Sequence, residues 1–121
     1  MSLILSIDIG TTKISAVVID SDSMENQAVC SLDNSAAVCG LPDGHHELDP
    51  ESILSTSLSA AKAAVSTPGI DIAKVNAVCL TGMMHGVMLV DDENKPLTNY
   101  ITWRDRRTEE MARSCSFNDI A

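Results

Sequence analysis

Apolar residues dominate two runs near the start of the chain, Leu3-Ile4-Leu5-Ser6-Ile7 and Ile14-Ser15-Ala16-Val17-Val18-Ile19, with Gly10-Thr11-Thr12 between them. Two such runs around a tight polar turn predict a β-hairpin. Asp8 stands at the end of its first strand and Asp20 closes the second. Residues 22–26 read as a polar turn and 27–33 as a third strand. Residues 34–48 read as a loop, with Gly40, Pro42, Asp43-Gly44 and the pair His45-His46. A helix then starts with Asp49 as N-cap, Pro50 at the first helical position and Glu51 in the first turn. Its apolar positions Leu54, Leu58, Ala61 and Val65 predict one buried stripe, ended by Pro68-Gly69.

Residues 75–80 (Val-Asn-Ala-Val-Cys-Leu) carry few polar groups and predict a buried strand, running into Thr81-Gly82-Met83-Met84-His85-Gly86. Residues 87–90 predict another strand, 91–96 an exposed turn, 97–103 an extended segment and 106–113 a helix. The order is three strands, helix, strand, then a hairpin-like pair. There is no internal repeat, low-complexity tract or linker, and the last helix begins close to Ala121, the pattern of an interrupted domain.

Composition narrows the class. A chain of 121 residues is one domain or a piece of one, long enough to bury about two thirds of its surface when compact. One Trp, one Tyr and one Phe make the core aliphatic. A net charge of −9 argues against nucleic acid or an anionic membrane as partner. Arg104, Arg106, Arg107 and Arg113 form a basic cluster, but Asp105, Glu109 and Glu110 interleave it, as on a solvated helix face. Cys30, Cys39, Cys79 and Cys115 show no C-x-x-C spacing and no histidine at zinc-ligand distance. Free thiols, no secretory leader and no apolar run approaching 18 residues predict a cytoplasmic protein.

Three segments carry candidate chemistry. Asp8 with Gly10, Thr11 and Thr12 can hold a hydrated Mg²⁺ and face nucleotide phosphates; equally, the glycine supplies a turn and the acid ends a strand. A Walker P-loop is absent, and Gly10 stands where an aspartyl-phosphate mechanism of the haloacid dehalogenase type needs a second Asp. His85, between two glycines past a strand end, can hydrogen-bond a sugar hydroxyl or sit as a structural histidine in a turn. Trp103 beside Arg104, Asp105, Arg106 and Arg107 offers an indole face and charged groups to a sugar, or else a buried aromatic next to a salt-bridged helix start.

Taken in order, these residues resemble the FGGY family of carbohydrate kinases, in the actin, Hsp70 and hexokinase superfamily. The likeness rests on Ile7-Asp8-Ile9-Gly10-Thr11-Thr12-Lys13, on Glu47-Leu48-Asp49-Pro50, and on Leu80-Thr81-Gly82-Met83-Met84-His85-Gly86-Val87-Met88-Leu89-Val90-Asp91. A fourth stretch is Pro96-Leu97-Thr98-Asn99-Tyr100-Ile101-Thr102-Trp103-Arg104-Asp105-Arg106-Arg107. The Met-His-Gly core is most similar to xylulokinases and sedoheptulokinases, with gluconokinases close behind; glycerol kinases place Arg-Glu at Met84-His85. Met83 departs from the Gln frequent at that place in xylulokinases, so the sugar stays open.

The resemblance implies an α/β fold, RNase H-like, of which residues 1–121 form the N-terminal part of the first domain, with the second domain absent. It implies ATP-dependent phosphorylation of a sugar hydroxyl with ATP and Mg²⁺ as cofactors. Asp8 would be the Mg²⁺-linked catalytic acid; Gly10, Thr11, Thr12 and Lys13 would face the phosphates. Met84, His85, Trp103 and Asp105 would contact the sugar. The general base and the adenosine site would lie beyond Ala121, so the 121-residue chain alone is expected to be inactive.

Two readings from other classes stand beside this one. An RNase H-type nuclease would use the same first hairpin, but the acidic charge and missing basic face oppose it. A non-catalytic remnant of a truncated kinase would bind sugar or a partner without turnover. An incomplete sheet would also leave an open strand edge, through which the chain would form homo-oligomers.

Overall fold

A computed structural model describes residues 1–109, 111, 112, 115 and 116 of the chain. It divides into two compact units, Met1–Ser35 with Glu51–Met83, and Ala36–Pro50 with Met84–Ala121.

The first unit is a four-stranded sheet with one helix. Strands β1 (Leu3–Ile9), β2 (Lys13–Asp20) and β3 (Asn26–Asp33) precede the helix α1 (Pro50–Val65). The two-residue β4 (Glu47–Leu48) lies just before α1, and β5 (Val75–Gly82), after it, completes the sheet. The sheet order is β3-β2-β1-β5, antiparallel except for the parallel pair β1–β5. The predicted hairpin and third strand are therefore present.

Alternation sets the core. Leu3, Leu5 and Ile7 on β1 and Ile14, Ala16 and Val18 on β2 are buried on one face. They form one cluster with Ala28 of β3 and Ala60 and Ala64 of α1, flanked by partly buried Ile53, Ala61 and Val65. Ser57 is buried in the same face and donates its hydroxyl to the Ile53 carbonyl at 2.7 Å, the backbone bond that lets a polar side chain sit there.

The helix stands where the caps predict it, but its buried stripe does not. Leu54 and Leu58 are exposed, and the inner face runs through Ile53, Ser57, Ala60, Ala61 and Ala64. Small side chains let a helix approach a sheet closely, and the stripe is rotated by one residue toward them. The strand expected to be buried is also different. Every residue of β5 after Val75 is exposed, with Val78 at 59% and Leu80 at 68%. The helix packs against residues of β1, β2 and β3, and β5, at the sheet edge, adds only Val75 to that cluster.

The second unit is built around a short antiparallel pair, β4 with β6 (Tyr100–Ile101). Thus β4 ends the segment expected to be all loop. Isolated bridges add Ala37 to Leu48, Val87 to Ile101 and Val90 to Pro96. The strand expected at 87–90 is reduced to these bridges. The Leu89 N–H, which a ladder would use, is accepted instead by the Thr98 hydroxyl at 3.0 Å. Ala36, Leu48 and Thr102 are buried here.

The helix expected at 106–113 does not form among the described residues. Arg107–Glu109 is a single 3₁₀ turn, and β7 (Met111–Ala112) pairs with β8 (Cys115–Ser116). The Asp105 carboxylate accepts the Arg107 N–H at 2.9 Å, and the Glu109 N–H closes on the Arg106 carbonyl at 2.9 Å, a tight local turn. Arg113, the end of that expected helix, lies outside the described residues. No helix of the described residues is long and apolar enough to cross a membrane.

Candidate functional sites: the hairpin turn and a cleft beside Trp103

The first group of candidate residues lies at the tip of the β1–β2 hairpin. Asp8 is exposed, opposite Ser15 on β2 and Thr81 on β5. The Thr81 hydroxyl donates to Asp8 Oδ1 at 2.5 Å, which fixes the carboxylate. The turn is closed by the Gly10 N–H donating to the Lys13 carbonyl at 2.9 Å. A Cβ at Gly10 would come within 2.7 Å of that carbonyl oxygen, so glycine is required there.

Asn34 braces the turn from the end of β3. Its N–H donates to the Thr12 carbonyl and its Nδ2 to the Gly10 carbonyl, both at 2.9 Å. The Thr11 and Thr12 N–H groups make no hydrogen bond among the described residues. Lys13 Nζ stands 3.7 Å from Asp33 Oδ1 with both side chains in solvent, a pair too exposed to hold it. A fixed hard-oxygen carboxylate fits a hydrated Mg²⁺, and free turn N–H groups with two hydroxyls and a cation fit phosphate oxygens.

The second group gathers in a cleft of about 320 Å³ within the second unit. Its walls include His85, Gly86, Trp103, Asp105, Arg107 and Thr108, so three of the four expected sugar contacts meet there. Met84 is exposed and is not in the cleft wall.

His85 adopts φ +60°, the left-handed region in which histidine is among the tolerated non-glycine residues. Such a conformation is sparsely populated and costs on the order of 1–3 kcal/mol. Gly86 needs its missing side chain for a steric reason, since a Cβ would overlap the Tyr100 phenol and come within 2.8 Å of the Ile101 carbonyl oxygen. Gly82 is not constrained in this way; a Cβ there meets only ordinary contacts near 4 Å with Ile9.

Trp103 is not the buried aromatic that its sequence neighbourhood allowed. It is 57% exposed, and the Arg104 guanidinium carbon lies 5.3 Å from its ring centroid. The salt-bridged alternative holds for its neighbour. The Asp105 side chain is 3% exposed and has both oxygens engaged. Arg107 Nε donates to Oδ1 at 2.9 Å and Nη2 to Oδ2 at 2.8 Å, while the His46 N–H donates to Oδ2 at 2.8 Å. Arg107 Nη2 also donates to Glu47 Oε2 at 2.5 Å, and Asn99 Nδ2 to Glu47 Oε1 at 3.0 Å.

These bonds keep all three groups charged. Hydrogen bonding from Arg107 holds the Asp105 carboxyl well below the usual carboxylate range, against the opposing effect of burial. Arg107 first, and Asn99 second, lower Glu47 as well. Asp105 and Glu47 in turn raise Arg107. His45, Glu47 and Asp105 offer ligand atoms within 4.8 Å of one another, a spacing that suits a metal ion. The cation already seated on both carboxylates is the Arg107 guanidinium.

Sequence reasoning missed Thr81, Asn34, Glu47 and Arg107 as partners of the chosen residues. The first pairing depends on the parallel register of β1 and β5. Glu47 and Arg107 lie 60 residues apart, and the β4–β6 pairing, with the Thr102 N–H on the His46 carbonyl and the Arg106 N–H on the Gly44 carbonyl, brings their segments together.

Comparison with known proteins identifies the family. Residues 3–119 match the FGGY family of carbohydrate kinases, N-terminal domain. A glycerol kinase from Rhizobium meliloti is 36% identical over 107 residues, covering 87% of this chain and 21% of that protein. A xylulose kinase from Bacillus subtilis is 26% identical over 109 residues, covering 89% of this chain and 21% of that protein.

Among solved structures, a xyloylose kinase from Brucella ovis superposes with a TM-score of 0.78 at 25% identity, over 88% of this chain and 22% of that one. The Plasmodium falciparum glycerol kinase with ADP gives 0.73 at 26% identity, over 90% and 22%. The mixed sheet with its N-terminal hairpin is thus the opening part of the actin- and hexokinase-like fold of these enzymes. The chain spans about a fifth of the length of the relatives it matches. With a family match covering nearly every residue, the chain belongs to the FGGY family of carbohydrate kinases.

Proposed function

We propose that this chain supplies the phosphate-facing hairpin and part of the sugar site of an enzyme that phosphorylates a sugar or polyol hydroxyl with ATP. The observation that carries the sugar side is the cleft in which His85, Trp103 and Asp105 meet, in a chain of a carbohydrate kinase family. In this reading the indole face packs against the C–H face of the sugar and His85 orients a hydroxyl. Met84, exposed and outside the cleft wall, has no sugar contact in this reading. Asp105 acts through its bonds, since Arg107 and the His46 N–H occupy its oxygens and leave it holding the cleft wall.

At the hairpin, Asp8 would hold Mg²⁺ through its water shell, with Thr81 fixing the carboxylate, and Gly10, Thr11, Thr12 and Lys13 would position the phosphates. Bound MgATP supplies the phosphoryl group and part of the charge neutralisation; the chain's task is positioning. Relatives matched over this stretch include both glycerol and xylulose kinases, so the reading extends to a small polyol as well as a ketose.

The test is sugar-dependent ADP release by the protein as its own cell makes it. Asp8→Asn should lower kcat by about 10²-fold or more while sugar affinity is retained. An unchanged rate would remove Asp8 from the reaction. The 121-residue chain alone is expected to release no ADP above background, and robust turnover by it would contradict that expectation.

A further inference from the structure

The Gly10–Lys13 bond leaves Thr11 and Thr12 as the tip of the β1–β2 hairpin. Tips of this length ordinarily adopt primed turns, with positive φ at one or both positions. Neither threonine does so; among the described residues, positive φ outside glycine occurs at Met24, His85 and Asn94. The β-branched side chains account for this, since positive φ is a genuine outlier for them. The closing pair is also half made. Gly10 donates to the Lys13 carbonyl, but among the described residues the Lys13 N–H makes no return bond to the Gly10 carbonyl. A tip outside the primed types splays its strands unless something beyond the hairpin holds it.

Asn34, at the end of β3, is that support. The Gly10 carbonyl accepts its Nδ2 and the Thr12 carbonyl its backbone N–H, both at 2.9 Å. Each carbonyl belongs to a planar trans peptide, in which the following N–H points the opposite way. Holding the Gly10 oxygen therefore aims the Thr11 N–H away from Asn34, and holding the Thr12 oxygen does the same for the Lys13 N–H. The Thr11 N–H has no acceptor among the described residues.

Resting on the reading of this hairpin as phosphate-facing, we propose that Asn34 is a positioning residue, whose side chain locks the Gly10–Thr11 peptide plane and so aims the Thr11 N–H at the bound phosphate. Nothing in Asn34 touches the phosphate; it keeps the donor aimed and turns a carbonyl oxygen away from the anion.

The probe is tripolyphosphate with Mg²⁺, titrated into the ¹⁵N-labelled chain and followed by ¹H–¹⁵N spectra. In the wild type the Thr11, Thr12 and Lys13 amides should shift saturably. Asn34→Ala removes the Nδ2 bond and keeps the backbone bond to Thr12. The Kd should then rise about fivefold or more, and the Thr11 shift should shrink relative to that of Lys13. Ser35→Ala, at the next and exposed position, should change neither. A purely structural role would lower the thermal midpoint of Asn34→Ala and leave both the Kd and the ratio of shifts as in the wild type. That result would overturn the inference while the hairpin reading stands.

Should Asn34→Ala fail to fold, the wild type decides alone. Its Asn34 side-chain amide protons should exchange with solvent at least about tenfold more slowly than those of exposed Asn94. They should slow further as tripolyphosphate binds, because a ligand on the Thr11 N–H polarises the peptide and strengthens its carbonyl as an acceptor. Exchange as fast as at Asn94, or indifferent to the ligand, would overturn the inference. No saturable shift at any of the three amides would instead overturn the hairpin reading itself, and the inference with it.

Discussion

Asp105 shows how a residue chosen for one role reveals another. Its carboxylate was expected at the sugar, and the structure gives it Arg107 and the His46 N–H. Asp105→Asn should destabilise the chain by about 1–3 kcal/mol, the range for losing hydrogen bonds to a charged group. The sign of the pH dependence follows from the lowered carboxyls. Because Asp105 and Glu47 titrate below their ordinary values of 3.8 and 4.5, their stabilisation is fully present above those values. It is lost as pH falls below them. Urea unfolding followed by circular dichroism at pH 7 and pH 3 should show this loss, and it should be smaller in Asp105→Asn.

The glycines give a second contrast at this scale. Gly86→Ala should cost about 1–3 kcal/mol because its Cβ meets Tyr100 and Ile101. Gly82→Ala, with room around it, should stay within about 0.5 kcal/mol. Thermal unfolding of the two variants separates them. Asp8 and the Gly10 turn were legible in the sequence because their signal is local. The partners Thr81, Asn34 and Glu47 were not, because each depends on which strand lies beside which.

Among the elements, the hairpin was the most readable, since strict alternation admits only one face to the core. The helix was readable in its ends and misread in its face. Leucines suggested a stripe, and alanines form it, because Ala60 and Ala64 have no atoms exposed while Leu54 and Leu58 face solvent. Leu54→Ser should therefore change stability by less than about 0.5 kcal/mol. Ala60→Leu should cost about 1–3 kcal/mol by overpacking the sheet contact. The reverse ranking in denaturant titrations would restore the leucine stripe. Where a helix was expected at 106–113, the described residues form the 3₁₀ turn Arg107–Glu109, with Asp105 capping the Arg107 N–H, and then the short β7–β8 pair.

For the molecule as a whole, β5 is the feature that sequence pattern misjudged most. A six-residue segment whose one polar residue is Asn76 predicts burial, yet β5 lies at a sheet edge with Val78 and Leu80 in solvent. Among the described residues its outer edge has no neighbouring strand. An open apolar edge invites pairing, so the 121-residue chain should self-associate in sedimentation equilibrium, and Val78→Lys should shift it toward monomer. A monomer at every concentration would contradict this.

Family membership was legible because four motifs occur in order. Which sugar is bound was not, because residues 85–87 and 101–108 form the cleft wall only once the Val87–Ile101 bridge has brought them together. The account rests on that cleft, and the most direct measurement is a ¹H–¹⁵N spectrum of the chain with increasing xylulose or glycerol. The prediction is saturable shifts at the Trp103 indole N–H and the amides of His85, Gly86 and Thr108, lost in His85→Ala. An unchanged spectrum, or shifts confined to residues outside the cleft, would contradict it.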